Sequence, residues 1–134
     1  MRIQMRLSRP AVVAMQEYKK IKFADPDAKV TNGYLIGMAF KSIKHELTQI
    51  DWIKTNSITI PNVTENNDES LDSLQTALNI EASILQDIEE LQRDFMIVFG
   101  TKKMFKPFVI KLILFAAILK EQNILVLKEE TDLE

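Results

Sequence analysis

The chain has 134 residues, 46% of them apolar and 27% charged, with three glycines, four prolines and no cysteine, enough for one domain of ordinary size or two very small units sharing a core, and too little for two independent enzymes. The absence of cysteine excludes disulfides, thiolate metal sites and cysteine nucleophiles, and suits a reducing cytoplasm, the expected location. The net charge of −2 conceals an asymmetry: residues 1–54 carry ten Lys and Arg against five Asp and Glu, giving +5, while residues 55–134 carry seven against fourteen, giving −7, so an anionic partner is expected for the first part and not for the second.

Ile3, Met5 and Leu7 alternate with Arg2, Gln4 and Arg6, the period of a short strand with one buried and one polar face. The alternation is unlike the continuous apolar run of a signal peptide. Ser8 then caps a helix that carries Pro10 in its first turn, where a missing N–H costs nothing. Along it Val12, Met15 and Tyr18 form an apolar stripe, with Lys19 and Lys22 on the back. "FADPDAKVT", Phe23 to Thr31, is a turn by its own chemistry. Thr31 or Asn32 caps a second helix with apolar positions at Leu35, Ile36, Ala39, Phe40 and Ile43, fading between His45 and Trp52. "TNSITIPNVTENNDES", residues 55–70, is polar and rich in turn formers, and reads as a linker.

Two readings of the next segment stand side by side. In one, Leu74, Thr76, Leu78 and Ile80 alternate with Gln75, Ala77 and Asn79 as a second strand. "SILQDIEELQRDF" from Ser83 then forms a helix, "GTKK" a break, and "KPFVIKLILFAAILKEQ" from Lys106 a last helix. On this reading "MRLSRPAVVAMQEY" aligns with "LNIEASILQDIEEL" without a gap, a repeat of about seventy-three residues. In the other, Leu71, Leu74, Leu78, Leu85, Ile88, Phe95 and Phe99 lie on one stripe of a single long helix over residues 71–99. The most apolar stretch, Phe108 to Leu119, is shorter than the roughly 20 residues a bilayer span needs and carries Lys111. It reads as a buried core helix, with no membrane partner expected. The chain thus divides into 1–54, a linker 55–70, and 71–134, the last a second unit of the same kind or a helical oligomerisation region. The expected fold class is mostly α with a short two-stranded antiparallel ribbon.

A strand with Arg2, Gln4 and Arg6 on one face has a physical use. Two such strands paired antiparallel make a ribbon narrow enough for the DNA major groove, and Arg can bond guanine O6 and N7, or Gln adenine N6 and N7, in bidentate fashion. The run "RIQMRLSRPAVVAMQEYKKI" followed by "VTNGYLIGMAF" resembles the ribbon-helix-helix family of DNA-binding proteins, the MetJ/Arc type. The likeness lies in the alternating strand, the Ser8 cap, and Thr31 with Leu35 and Ile36 at the second helix. It covers the first 45 residues well and residues 74–120 loosely, and the turn between the first two helices is several residues longer than the family's.

The resemblance implies that Arg2, Gln4 and Arg6 read bases, and that Thr31, Asn32 and Gly33 grip a phosphate with Lys29 nearby. It also implies self-association, either as a homodimer or as a pseudo-dimer of two units within one chain. A second unit would offer Gln75, Ala77 and Asn79 on its strand, without charge, and Lys102, Lys103 and Lys106 for phosphates.

Plainer roles compete with these. The arginines suit the solvated face of an edge strand, and Thr31 suits a helix cap. His45 has only Glu46 beside it, which makes neither a metal site nor an acid–base pair. "DIEEL" with Asp94 reads as a solvated helix face, and Trp52, Phe95, Phe99, Phe105 and Phe108 as core or interface. With no Gly-rich phosphate loop, nucleophile elbow or metal spacing, no enzyme, metal or cofactor is expected. The expected function is sequence-specific binding of double-stranded DNA, as a transcriptional repressor or a plasmid partition or relaxosome accessory protein, with the acidic C-terminal part available to a protein partner. The alternative is a helical interaction or oligomerisation module without nucleic-acid binding.

Overall fold

The computed structural model describes residues 1–25 and 27–129. The alternation at the start forms strand β1 (Arg2–Leu7), which pairs antiparallel with β2 (Leu74–Asn79). The register sets Arg2 opposite Asn79, Gln4 opposite Ala77 and Arg6 opposite Gln75, with Ile3–Leu78, Met5–Thr76 and Leu7–Leu74 between them. Met1 and Ile80 continue the pairing, the Ile80 N–H donating to the Met1 carbonyl at 2.9 Å. Residues 71–99 are therefore not one helix, and the long-helix expectation is corrected. Leu, Ala and Gln are good helix formers, but a backbone partner and a buried site for Leu78 opposite Ile3 outweigh a propensity of a few tenths of a kcal/mol per residue.

After β1, Ser8 takes an extended conformation and its Oγ accepts the Ala11 N–H, starting helix α1 (Arg9–Phe23). Ala24, left-handed at φ 55°, ends the helix by donating its N–H to the Lys20 carbonyl. Ala11 to Met15 are buried in succession, more than the expected stripe, because the start of α1 has partners all round. Thr31 caps α2 (Asn32–Ile43), its Oγ1 accepting the Tyr34 N–H at 3.2 Å. A single 3₁₀ turn, Lys44–Glu46, follows, and then a short helix α3 (Trp52–Ser57) capped by Asp51.

The segment between α3 and β2 contributes Ile60 and Val63 to the core despite its polar composition. The Arg9 guanidinium holds it from below, donating to the carbonyls of Leu71, Asn66 and Asp68, each at 3.1 Å. Helix α4 (Ala82–Val98) ends at Gly100, whose φ of 61° lets the Thr101 N–H return to the Met96 carbonyl.

Helix α5 (Lys106–Glu121) is buried without interruption from Leu112 to Leu119. It packs against α1, α2, α3, α4 and β1, which is why its sequence is apolar all round. Among the described residues no helix is long and apolar enough to cross a membrane. The order strand–helix–helix occurs twice, as β1–α1–α2 and β2–α4–α5, and both runs share one hydrophobic core. Trp52, Phe95, Phe99 and Phe108 meet edge to face in that core with centroids 5.0–6.4 Å apart. Phe105 lies outside that cluster and is 68% exposed.

Candidate nucleic-acid interface

Residues directly opposite in an antiparallel pair share a face, so the register of β1 and β2 sorts their side chains into two sets. Met5, Leu7 and Leu78 are buried on the inner face with Ile3 and Thr76 half-buried beside them, while Leu74 at the end remains exposed. The outer face carries Arg2, Gln4 and Arg6 from β1, and Asn79, Ala77 and Gln75 from β2. All are exposed except Ala77, which is half-buried.

The Arg6 Nη1 donates to the Ser73 hydroxyl at 3.2 Å, leaving the other guanidinium donors outward. Among the described residues, no hydrogen bond or ion pair engages the side chains of Arg2, Gln4, Gln75 or Asn79. The ribbon thus presents two cations and three amides around a small central residue, with no carboxylate among them. Neighbouring strands lie about 4.8 Å apart, so the pair with its side chains matches a groove about 12 Å wide.

The start of α2 lies against one end of this ribbon. A Cβ on Gly33 would overlap the Asn79 carbonyl oxygen and stand 2.8 Å from the Asn79 backbone nitrogen, so only glycine lets the helix approach β2 this closely. The Asn32 amide donates to the Thr76 hydroxyl at 3.4 Å. Of the three residues expected to grip a phosphate, Thr31 is exposed, Asn32 half-buried and Gly33 buried. Thr31 and Gly33, but not Asn32, border a hollow of about 300 Å³ with Tyr34, Lys41, Asn79 and Glu81. Lys29, two residues before Thr31, is exposed and among the described residues has no ion pair.

The opposite end is built differently. Phe105 occupies the cap position of α5 and offers no side-chain acceptor, and Pro107 in the first turn removes one of the free N–H groups. Phe105 shares an open hollow with Arg6, Ser8, Ser73, Pro107 and Lys111. Lys111 lies 4.6 Å from the Phe108 ring centroid and donates to the Asn56 side chain at 3.0 Å; burial pushes its ammonium pKa down. Lys102 and Lys103 are exposed in the turn before Phe105. Lys106, a third candidate there, pairs with Glu89 at 3.5 Å.

The charge asymmetry of the sequence is partly neutralised within the chain. Lys22, Lys41 and Lys44 of the basic half pair with Glu121, Glu81 and Asp87 of the acidic half, and Lys120 pairs in return with Glu46. Arg9 is occupied by backbone carbonyls. The six other cations of the first part have no ion pair among the described residues: Arg2 and Arg6 on β1, Lys19 and Lys20 on α1, Lys29 before α2 and Lys54 on α3. The role of Arg9 was not legible in the sequence, since nothing local distinguishes it from Arg2 or Arg6. Among the described residues no group of three His, Asp or Glu side chains is placed to hold a metal ion. No protein-family model, curated protein or solved structure matches the chain.

Proposed function

We propose that the chain is a tandem ribbon-helix-helix protein that binds double-stranded DNA by inserting the β1–β2 ribbon into the major groove. The observation that carries this reading is the outer ribbon face: cationic and amide side chains without an acid among them, whose one side-chain bond among the described residues is that from Arg6 to the Ser73 hydroxyl. Arg2 and Arg6 have the donor geometry for guanine O6 and N7, and Gln4, Gln75 and Asn79 that for adenine N6 and N7. Lys29 with the Thr31–Gly33 turn would meet phosphates at one flank, and Lys102 with Lys103 at the other. Such a protein acts by occupancy, without a reaction of its own. That mode suits a cytoplasmic repressor or a plasmid partition or relaxosome accessory protein.

Fluorescence anisotropy with a duplex of random sequence across a salt series tests the reading. The three phosphate-facing lysines, Lys29, Lys102 and Lys103, predict a log–log slope of about −2.7 for affinity against salt. Absent or salt-insensitive binding at low ionic strength would sink it.

A second reading, a helical protein-interaction module, draws on α4. This helix leaves Ile97 84% exposed, and its Asp87, Glu90 and Asp94, with Lys44 and Lys128, border a hollow of about 460 Å³ floored by Phe40, Leu47, Trp52 and Phe95. It makes the opposite forecast for the salt series, since an apolar surface with a rim of mixed charge binds through burial and not through phosphate neutralisation.

A further inference from the structure

Because both strands of the ribbon belong to one chain, the groove-facing surface is complete without a second copy. The surface also has no symmetry of its own. A half-turn about the ribbon centre exchanges Arg2 with Gln75, Gln4 with Ala77 and Arg6 with Asn79, and in none of these pairs do the side chains match. All the charge lies on β1, and the central pair sets an amide against a methyl group. The flanks break the symmetry again: α2 begins at a threonine cap packed through Gly33 on the Asn79 backbone, while α5 begins at an exposed Phe105 followed by Pro107.

A ribbon formed by two identical chains imposes its twofold axis on the DNA it reads, which is the origin of palindromic operators. We infer that this chain instead recognises a non-palindromic duplex segment, one chain per site and in one orientation, with its guanine contacts supplied by β1 alone. The inference rests on the DNA-binding reading above.

Arg2 and Arg6 are separated by four residues, about 13 Å of extended chain, so their two guanines fall within about four base pairs of each other. Ala77, opposite Gln4, has no hydrogen-bonding group. Its contact with the groove is apolar, which suits a thymine methyl near the centre of the site. Loss of either arginine would cost about five- to 150-fold in preference for the cognate sequence, while loss of Gln75 or Asn79 would touch only adenine positions.

The test is selection of bound sequences from a pool of randomised duplexes with the intact protein, followed by sedimentation of the complex with the selected duplex. The expected result is a motif without dyad symmetry, two nearby guanine positions, and one chain per duplex. A dyad-symmetric motif, or a complex that forms only with two chains, overturns the inference while leaving DNA binding in place. No retention of any duplex at low salt overturns both. The double variant Gln75→Arg/Asn79→Arg gives an independent check, because both positions are exposed and outside the core. It should add guanines to the selected motif and move it toward dyad symmetry. An unchanged motif in that variant contradicts the assignment of β2 to the groove.

Discussion

Arg6 and Arg9 stand three residues apart and do unrelated work. Arg6 points from the outer face of β1, whereas Arg9, one residue past the Ser8 cap, turns under the segment before β2 and donates to three of its carbonyls. Those carbonyls belong to a stretch with almost no regular structure, so the guanidinium supplies much of what fixes it. Arg9→Ala should lower stability by about 1–2 kcal/mol in denaturant titration while leaving Arg2 and Arg6 free to act. An unchanged midpoint would mean that the loop is held by Ile60 and Val63 alone.

Asp68 in the same loop accepts from the Ser70 N–H and hydroxyl, which hold its carboxyl below the usual carboxylate range, with Arg9 adding a smaller pull. A carboxyl with a depressed folded pKa contributes stability that is present above its unfolded pKa, near 4, and lost as pH falls through the folded value. The stability advantage of the protein over its Asp68→Asn variant should therefore shrink as pH falls below about 4. A constant difference from pH 6 to pH 2 would contradict that sign. The group is exposed, so the effect is small.

At the scale of elements, the signals that local chemistry carries were readable: the β1 alternation, the Ser8 and Thr31 caps, Pro10 in the first turn, the break at Gly100, and the apolar run of α5. What local chemistry leaves open was not. Leu74–Asn79 suits either a strand or a helix until its partner, some seventy residues earlier, is known. Helix α3 and the buried Ile60 and Val63 lie in a stretch whose isolated apolar residues make no period, so only the surrounding core reveals them. The second phosphate flank was expected from lysines near α5, but one of those lysines is paired and the cap position holds phenylalanine.

That last difference makes a prediction. Phe105 already has the extended conformation of a helix cap, φ −104° and ψ 139°, and its side chain is mostly outside the core. The Phe108 N–H already donates to the Phe105 carbonyl at 3.1 Å, so the hydroxyl of Phe105→Ser would share that donor and raise stability by only about 0.5 kcal/mol, read as a slightly higher thermal midpoint. A lower midpoint would show that the exposed ring packs on the Arg6 hollow more than its accessibility indicates.

Over the whole molecule, two strand–helix–helix runs fold around a single core with α5 at its centre, and their opposite charges interlock across the boundary. Among the cations left without an ion pair, Arg2 and Arg6 share the ribbon face with amide groups and no acid. Removing charge from any protein that binds DNA weakens the complex, so the decisive comparison holds the charge change constant. The Arg2→Ala/Arg6→Ala variant is set against Lys19→Ala/Lys20→Ala, whose lysines lie about 15 Å along α1 from Arg9. The measurement is the dissociation constant of each for the duplex selected by the intact protein, at one salt concentration. The ribbon account predicts at least about a twentyfold loss for the arginine pair, two guanine contacts being removed, and less than about threefold for the lysine pair. Equal losses in the two variants, or full affinity without the arginines, would contradict it.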